Sequence, residues 1–161
     1  QKAHIQSLSR LDRNQHLWMD AFTIKSLELF YALHPGGHSL LSVIDLTQTP
    51  MGARTMRHWI ARPLTQTEAI AKRHDTVAFF NEQKLLRQSM RDELKPINDL
   101  ERLCMRIATR RIGPKELKGL EKTLQHCLNI ESKLAKTPIA LAVNTAAVNE
   151  VKTTISNTLN E

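Results

Sequence analysis

Apolar residues recur along most of this chain at the spacing typical of amphipathic helices, and prolines and glycines separate the segments. From Asp20, which can cap a helix start, the pattern runs to Leu29, and the sequence "HPGGH" at 34–38 must break it. Ser39 begins a compact apolar segment, "SLLSVIDLT", which predicts a short helix ending near Thr47. The first part of the chain is therefore predicted to contain short helices joined by tight breaks.

Residues 47–65, "TQTPMGARTMRHWIARPLT", are predicted to contain a helix with well-defined ends. Thr49 supplies a capping hydroxyl, Pro50 suits the first helical position because its missing N–H is not needed there, and Pro63 ends the helix. The apolar residues Met56, Trp59 and Ile60 are expected on one side of this helix, and the basic residues Arg54, Arg57 and His58 are expected over the rest. From these residues alone, the segment is interpreted either as a basic ligand-binding site or as a structural joint.

Two further capping patterns mark helix starts in the middle of the chain. The sequence "TQTE" at 65–68 can satisfy free amides reciprocally, and it opens a helix that runs to a short break near Asn81. The sequence "NDLE" at 98–101 repeats this logic, with Asn98 as the predicted cap and Gly113 as the predicted end of the helix. The middle of the chain is therefore predicted to be helical with short interruptions.

The last part of the chain is predicted to form two long helices. The sequence "GPKEL" at 113–117 places proline in a first turn, and leucines continue at helical spacing to Leu134. After Pro138, apolar residues from Val143 to Leu159 recur at every fourth position. Because no cap, glycine or proline stops this final helix, we expect the chain to continue in a longer protein.

Composition supports an all-α fold. Of the 161 residues, 41% are hydrophobic and 24% charged, which is typical of a folded chain, and aromatic residues make up only 4%. Good helix formers dominate the long segments. No apolar run approaches the roughly 20 residues of a membrane-spanning helix, and the N-terminal residues lack the apolar block of a signal peptide. A cytosolic protein is therefore expected.

The formal net charge of +7 raises the question of nucleic-acid binding. Lysine and arginine are scattered among acidic residues, so solvated helix faces explain this charge as well as a polyanionic partner does. The candidates for contact with DNA phosphates lie near one helix end and the start of the next, namely Arg106, Arg110, Arg111 and Lys115. Cations at a helix end also complement its dipole, and no aromatic residues are interleaved for base stacking.

No catalytic, cofactor-binding or metal-binding residues are predicted. The chain lacks a phosphate-binding glycine loop and the patterns GxGxxG, HExxH and CxxC. Cys104 and Cys127 lie within helical patterns beside leucines and are interpreted as small buried apolar residues. No nucleophile is accompanied by a base and an orienting group, so the residues do not favour an enzyme.

Four ordered segments resemble the MutS family of DNA mismatch repair proteins, specifically its core or lever domain. They are "MDAFTIKSLELF" (19–30), "GGHSLLSVIDLTQTPMGARTMRHWIARPLT" (36–65), "KRHDTVAFF" (72–80) and "NDLERLCMRIATRRIGPKEL" (98–117). Their order and spacing, together with the string "TPMGAR…W…PL", make the resemblance specific over about residues 18 to 135. From there to the end, the helical character fits and the sequence match is loose.

The resemblance implies an all-α, multi-helix bundle of the MutS core or lever type that ends in long lever helices. Residues 1–17 would be the end of a connector or linker, and residues 18–161 the N-terminal half of the helical core, truncated before the clamp. The implied function is that of a non-catalytic structural fragment. It would couple the ATPase domain of the full-length protein to the DNA clamp and the mismatch-reading domain.

The implied partners and cofactors belong to the full-length protein. That protein would bind mismatched duplex DNA, form a homodimer and meet a MutL-type partner, with no membrane involved. It would be a DNA-dependent ATPase whose ATP and magnesium sites lie outside this fragment, which itself needs no cofactor. Its location would be cytoplasmic, associated with the prokaryotic nucleoid when on DNA.

On this resemblance, the segment 47–65 is interpreted as a joint that Trp59, Met56 and Ile60 anchor in the core. The joint comprises Thr49, Pro50, Gly52, Trp59 and Pro63. We also expect an exposed apolar face along residues 117–134 or 143–159, where later core helices would cover it. Two alternative functions stay open, namely a freestanding basic helical nucleic-acid-binding module and the core of a MutS-related recombination protein.

Overall fold

Helices account for nearly all of the regular structure in this computed structural model, which describes residues 15–139, 141 and 143–160. In chain order they are α1 (Ala21–Ser26), α2 (Leu40–Ile44), α3 (Pro50–Ala61), α4 (Thr67–Glu82), α5 (Lys84–Leu94), α6 (Leu100–Ala108), α7 (Pro114–Leu134) and α8 (Thr145–Asn160). The described residues form no strand beyond an isolated antiparallel bridge between His16 and Leu64. The predicted all-α fold is confirmed, and no described helix is long and apolar enough to cross a membrane.

Side-chain caps explain where the first three helices begin. Asp20 accepts the amide three residues further along at 2.7 Å, and Ser39 does the same at 3.1 Å. Thr49 Oγ1 accepts the amide of Gly52 at 3.0 Å, and Pro50 occupies the first position of α3. These three predicted helix starts are confirmed, because each cap is an interaction between close neighbours in the sequence.

Helix α1 ends at Ser26, so the prediction that it reaches Leu29 is wrong. Glu28 adopts the left-handed conformation with φ of 49°, which turns the chain out of the helix. The amide of Leu29 then donates to the carbonyl of Ile24 at 3.3 Å, which satisfies a carbonyl that the helix leaves free. This turn buries Leu29, which is 8% exposed.

Helix α6 also ends before a residue in the left-handed conformation. Its last residue is Ala108, so the predicted end at Gly113 is wrong. Arg110 has φ of 54°, and the amide of Arg111 donates to the carbonyl of Arg106 at 2.8 Å. Gly113 instead precedes α7, and its amide donates to the carboxylate of Glu116 at 3.0 Å.

The cap of α6 is also different from the predicted one. The side chain of Asp99, and not that of Asn98, accepts the amide of Arg102 at 3.2 Å. Asn98 Nδ2 donates to Thr123 Oγ1 and to the carbonyl of Gly119, both at 3.2 Å. The side chain of Asn98, which the local pattern predicted as the cap, therefore forms hydrogen bonds with α7 instead.

Two smaller differences concern helix boundaries. Helix α2 ends at Ile44, before the predicted end near Thr47. Helix α4 begins at Thr67, one position later than the capping pattern implies, and the carbonyl of Gln66 accepts the amide of Ile70 at 3.1 Å.

Arg110→Gly is expected to raise the free energy of unfolding by about 1 kcal/mol, because glycine adopts a left-handed φ without the steric cost of a Cβ atom. Arg110 is exposed, so the substitution removes no buried contact. Urea unfolding followed by circular dichroism measures the change. Arg111→Gly is the matched control and should be neutral or destabilising, since φ of Arg111 is not left-handed. A destabilised Arg110→Gly variant would contradict the explanation.

The chain divides into two compact units. Unit 1 contains the described residues up to Asp45 together with Arg57–His74, and unit 2 contains Leu46–Met56 and the described residues from Asp75 onward. Residues 1–14 are outside the described residues. The predicted domain boundary after residue 17 therefore stays a prediction.

Unit 2 has two apolar clusters that share helix α7. The first contains Met90, Ile97, Ile130 and Leu134, and the second contains Leu103, Leu120 and Ile155. Helix α7 thus packs against α5 through the first cluster and against α6 and α8 through the second. Cys127 packs against the first cluster and burial raises its thiol pKa, whereas Cys104 is exposed, so its predicted burial is wrong.

Unit 1 exposes most of its large apolar side chains. Trp18, Phe22 and Tyr31 are 75%, 77% and 72% exposed. The prediction that the exposed apolar face lies along 117–134 or 143–159 is wrong, because α7 and α8 bury Leu120, Ile155 and their neighbours against each other. Among the described residues of those two segments, Val151 is the one large apolar side chain that is substantially exposed.

A candidate structural joint at helix α3

Helix α3 contributes residues to both units. Its residues Pro50–Met56 belong to unit 2, and Arg57–Ala61 belong to unit 1. Gly52 lies close to the cap at the start of α3, since an added Cβ would lie 3.0 Å from Thr49 Oγ1 and 3.3 Å from Thr47 Cβ. A side chain at this position would make the capping hydroxyl and Thr47 shift by a few tenths of an ångström.

Arg54 connects α3 to the start of α6 within unit 2. Its guanidinium donates to both carboxylate oxygens of Asp99 at 2.8 Å, and to Glu101 at 2.5 Å. This two-point geometry fixes orientation as well as distance. The hydrogen bonds from Arg54 hold the pKa of Asp99 at about 2, and those to Asp99 and Glu101 raise the pKa of Arg54. Because Asp99 also caps α6, one carboxylate holds the helix start and the arginine together.

Arg57, one helical turn further on, makes its contacts within unit 1. Its guanidinium carbon lies 4.3 Å from the centroid of the Phe30 ring and 5.5 Å from that of Tyr31. It also donates to the Tyr31 hydroxyl at 3.2 Å. Stacking on aromatic faces is a contact that the planar guanidinium makes well and lysine reproduces poorly.

Trp59 is 45% exposed, so the expectation that it is anchored in the core is wrong. The guanidinium carbon of Arg73 lies 3.6 Å from the Trp59 ring centroid and covers one face of the indole. Met51 instead provides the apolar anchor of α3, by packing against the first cluster of unit 2. The carbonyl of Pro63, just beyond the helix, accepts the amide of Leu17 at 2.8 Å.

Of the candidate DNA-contacting residues, Arg106 is engaged internally. It pairs with Glu116 at 2.9 Å and donates to the carbonyl of Arg111 at 2.6 Å. Arg110, Arg111 and Lys115 are exposed. The structure brings Arg106 and Lys115 to one cavity and leaves Arg110 and Arg111 outside its lining. Contact of these residues with DNA stays a prediction.

This cavity, the α6–α7 cleft, also has a wall residue that the sequence reasoning missed. Arg102 lines it, one helical turn before Arg106. The signal was available in the string "NDLERLCMRI", where two arginines recur at the spacing of neighbours on one helix face.

A polar network between α5 and α7 was also missed. Glu93 accepts from Lys133 at 2.7 Å and from Asn129 at 3.1 Å, and lies 2.7 Å from Nδ1 of His126. The hydrogen bond from Lys133, followed by those from His126 and Asn129, holds the pKa of Glu93 at about 2. No group of three or more His, Cys, Asp or Glu suited to a metal ion occurs in the part of the chain that the structure describes.

Comparison with known proteins identifies the relatives of this chain. Residues 22–161 match MutS domain III. The DNA mismatch repair protein MutS of Porphyromonas gingivalis is 46% identical over 125 residues, which cover 78% of this chain and 14% of that protein. The MutS protein of Flavobacterium psychrophilum is 38% identical over 135 residues, which cover 84% of this chain and 16% of that protein.

A third relative, MutS of Cytophaga hutchinsonii, is 40% identical over 132 residues, or 82% of this chain and 15% of that protein. The chain therefore spans about a sixth of the length of the curated relatives that it matches. The match to domain III and the identities over about four fifths of the chain show that it belongs to the MutS family of DNA mismatch repair proteins.

Proposed function

We propose that residues 18–161 form a non-catalytic structural core that couples the ATPase domain of a MutS-type protein to its DNA clamp and mismatch-reading domain. The observation that supports this most is the position of two arginines on one helix. Arg54 ties α3 to unit 2, and Arg57 ties it to unit 1. A rigid helix fixed at both ends transmits a displacement that a flexible loop would absorb.

The rest of the proposal concerns the full-length protein. It is a DNA-dependent ATPase that uses ATP and magnesium in a domain outside this chain, and this core carries no cofactor of its own. Its substrate is mismatched duplex DNA, and its protein partners are a second copy and a MutL-type protein. It works in the cytoplasm, associated with the nucleoid when on DNA. The relatives are DNA mismatch repair proteins, which supports this assignment.

The joint is tested in the full-length protein by Arg54→Ala and Arg57→Ala. Each variant is expected to keep basal ATP hydrolysis and to lose about fivefold of its stimulation by mismatched duplex DNA, which corresponds to about 1 kcal/mol of coupling free energy. Steady-state hydrolysis with and without mismatched duplex measures both quantities.

Arg62→Ala is the matched control for this experiment. Arg62 follows the same helix, and its guanidinium contacts His58, only four residues away, at 3.3 Å. It should retain full stimulation. Unchanged stimulation in the Arg54 and Arg57 variants, or an equal loss of basal and stimulated hydrolysis, would contradict the coupling role.

A further inference from the structure

The α6–α7 cleft is a cavity of about 370 Å³ in unit 2 that shares only Asp99 with the contacts of the proposed joint. One side is lined by Asp99, the cap of α6, and by Arg102 and Arg106 of that helix. The other side is the first part of α7, with Lys115 and Glu116. Its volume falls in the range of small-ligand sites, roughly 300–1,000 Å³. The wall carries three basic and two acidic side chains, so its usable charge depends on which of them are already paired.

Both carboxylates of the cleft are paired within the protein. Asp99 is held by two hydrogen bonds from Arg54, which is outside the cleft lining. Glu116 is paired with Arg106 at 2.9 Å and accepts the amide of Gly113. Each carboxylate of the wall thus has a partner other than Arg102 and Lys115, although the charge of Asp99 also attracts Arg102.

Arg102 and Lys115 are the two cations that remain. Both are exposed, and neither forms an ion pair with any residue that the structure describes. Their charges face a cavity whose second wall is the N-terminal turn of α7, which has 21 residues and carries partial positive charge at this end. The cleft thus presents two exposed cations that form no ion pair, of which Arg102 is attracted by Asp99, beside a helix start where Glu116 accepts the Gly113 amide.

We infer that the α6–α7 cleft binds a phosphate group through Arg102 and Lys115. The charge of the two side chains matches that of a phosphate dianion or of two adjacent phosphodiesters. The planar donors of arginine fit phosphate oxygens in pairs, and the lysine ammonium adds a point charge. The same phosphate chemistry is offered by a nucleic-acid backbone and by free phosphate, and the two sources are separated by experiment.

The first experiment uses the full-length protein and inorganic phosphate. Thermal unfolding is recorded in phosphate and in chloride at equal ionic strength, for the parent protein and for the double variant R102Q/K115Q. The parent protein is expected to show a phosphate-dependent rise in its midpoint, and the double variant a smaller one, since a ligand that binds only the folded state stabilises it. In chloride the two midpoints should differ little, because the replaced side chains are exposed and form no ion pair in the described structure.

The second experiment measures the affinity of the same proteins for duplex DNA without a mismatch across a salt series. Loss of two phosphate contacts should lower the slope of log K against log salt by about 2. Lys118→Gln, an exposed α7 lysine outside the cleft lining, should leave the slope unchanged. The charge-preserving variant R102K/K115R should retain most of the parent slope.

The two experiments together identify the source of the phosphate. A smaller slope supports the binding of a nucleic-acid backbone, and an altered phosphate response with an unchanged slope supports free phosphate. If both responses match those of the parent protein, the inference is overturned. The inference is also overturned if polyglutamate, and not phosphate, raises the midpoint of thermal unfolding of the parent protein but not that of R102Q/K115Q. The ligand of the cleft would then be an acidic protein segment.

Discussion

Leu134→Ala is expected to lower the free energy of unfolding by about 3 kcal/mol, within the range measured when buried leucines are truncated. Leu134 is 3% exposed, and it packs with Met90, Ile97 and Ile130 in the first cluster of unit 2. The substitution removes apolar contact and leaves a cavity at the end of α7, where α5 and the segment after it converge. Urea unfolding measured by circular dichroism is the suitable test, because Trp18 and Trp59 both belong to unit 1 and do not report directly on this cluster.

Leu85→Ala is the matched control for this prediction. It makes the same chemical change on α5, but Leu85 is 89% exposed, so the free energy of unfolding should change by no more than about 0.5 kcal/mol. A cost for Leu134→Ala below about 1 kcal/mol, or equal costs for the two leucines, would show that the first cluster does not stabilise the fold as its burial indicates.

The parts of the fold that the sequence predicted correctly depend on local interactions. Asp20, Ser39 and Thr49 each cap a helix through an amide three residues further along the chain, and Pro50 fits the first helical turn for a similarly local reason. The helical spacing of leucines in α7 is local as well. A sequence contains the information for such features within a few positions.

The helix ends were harder to predict because two of them use unfavourable residues. Glycine is the usual residue at a left-handed helix end, and the pattern therefore placed the end of α6 at Gly113. The chain turns instead at Arg110, as it turns at Glu28 after α1. Surrounding packing selects those positions at a local cost in backbone energy, and the local sequence does not reveal that selection.

The candidate joint was predicted in part. Its helix boundaries follow from Thr49, Pro50 and Pro63, but the partners of its arginines do not. Arg54 meets Asp99 across 45 positions of sequence, a separation at which no spacing rule indicates contact. Trp59 was assigned to the core from the helical pattern and the resemblance, whereas Arg73 covers one face of its indole and the partly buried Met51 packs against the first cluster.

These non-local contacts connect the joint to the interior of unit 2. The carboxylate of Asp99 accepts hydrogen bonds from Arg54 and caps α6. Its neighbour Asn98 is hydrogen-bonded to Thr123 of α7. The position of α3 is therefore linked through two adjacent residues to Thr123, at the centre of unit 2. Weakening the Asn98–Thr123 contact should destabilise the segment that presents Asp99 to Arg54.

Thr123→Val is expected to lower the free energy of unfolding by about 1.5 kcal/mol, although the two side chains have nearly the same shape. Thr123 is fully buried at 0% exposure, and its Oγ1 accepts from the Asn98 amide at 3.1 Å and from Asn98 Nδ2 at 3.2 Å. Valine removes this acceptor from both donors, and Asn98 Nδ2 keeps the carbonyl of Gly119, so the cost is that of the lost part-buried hydrogen bonds. Urea unfolding by circular dichroism measures the loss.

Thr153→Val separates this effect from the general effect of replacing a helical threonine. Thr153 lies exposed on α8 and, like Thr123, donates to the carbonyl four residues earlier at 2.9 Å. Since the Thr153 hydroxyl accepts no hydrogen bond within the described structure, its replacement should change the free energy of unfolding by less than about 0.5 kcal/mol. Equal losses in the two variants would mean that the intrahelical bond carries the cost. A loss confined to Thr123→Val assigns it to Asn98, and hence to the contact that holds the start of α6 where Arg54 meets it.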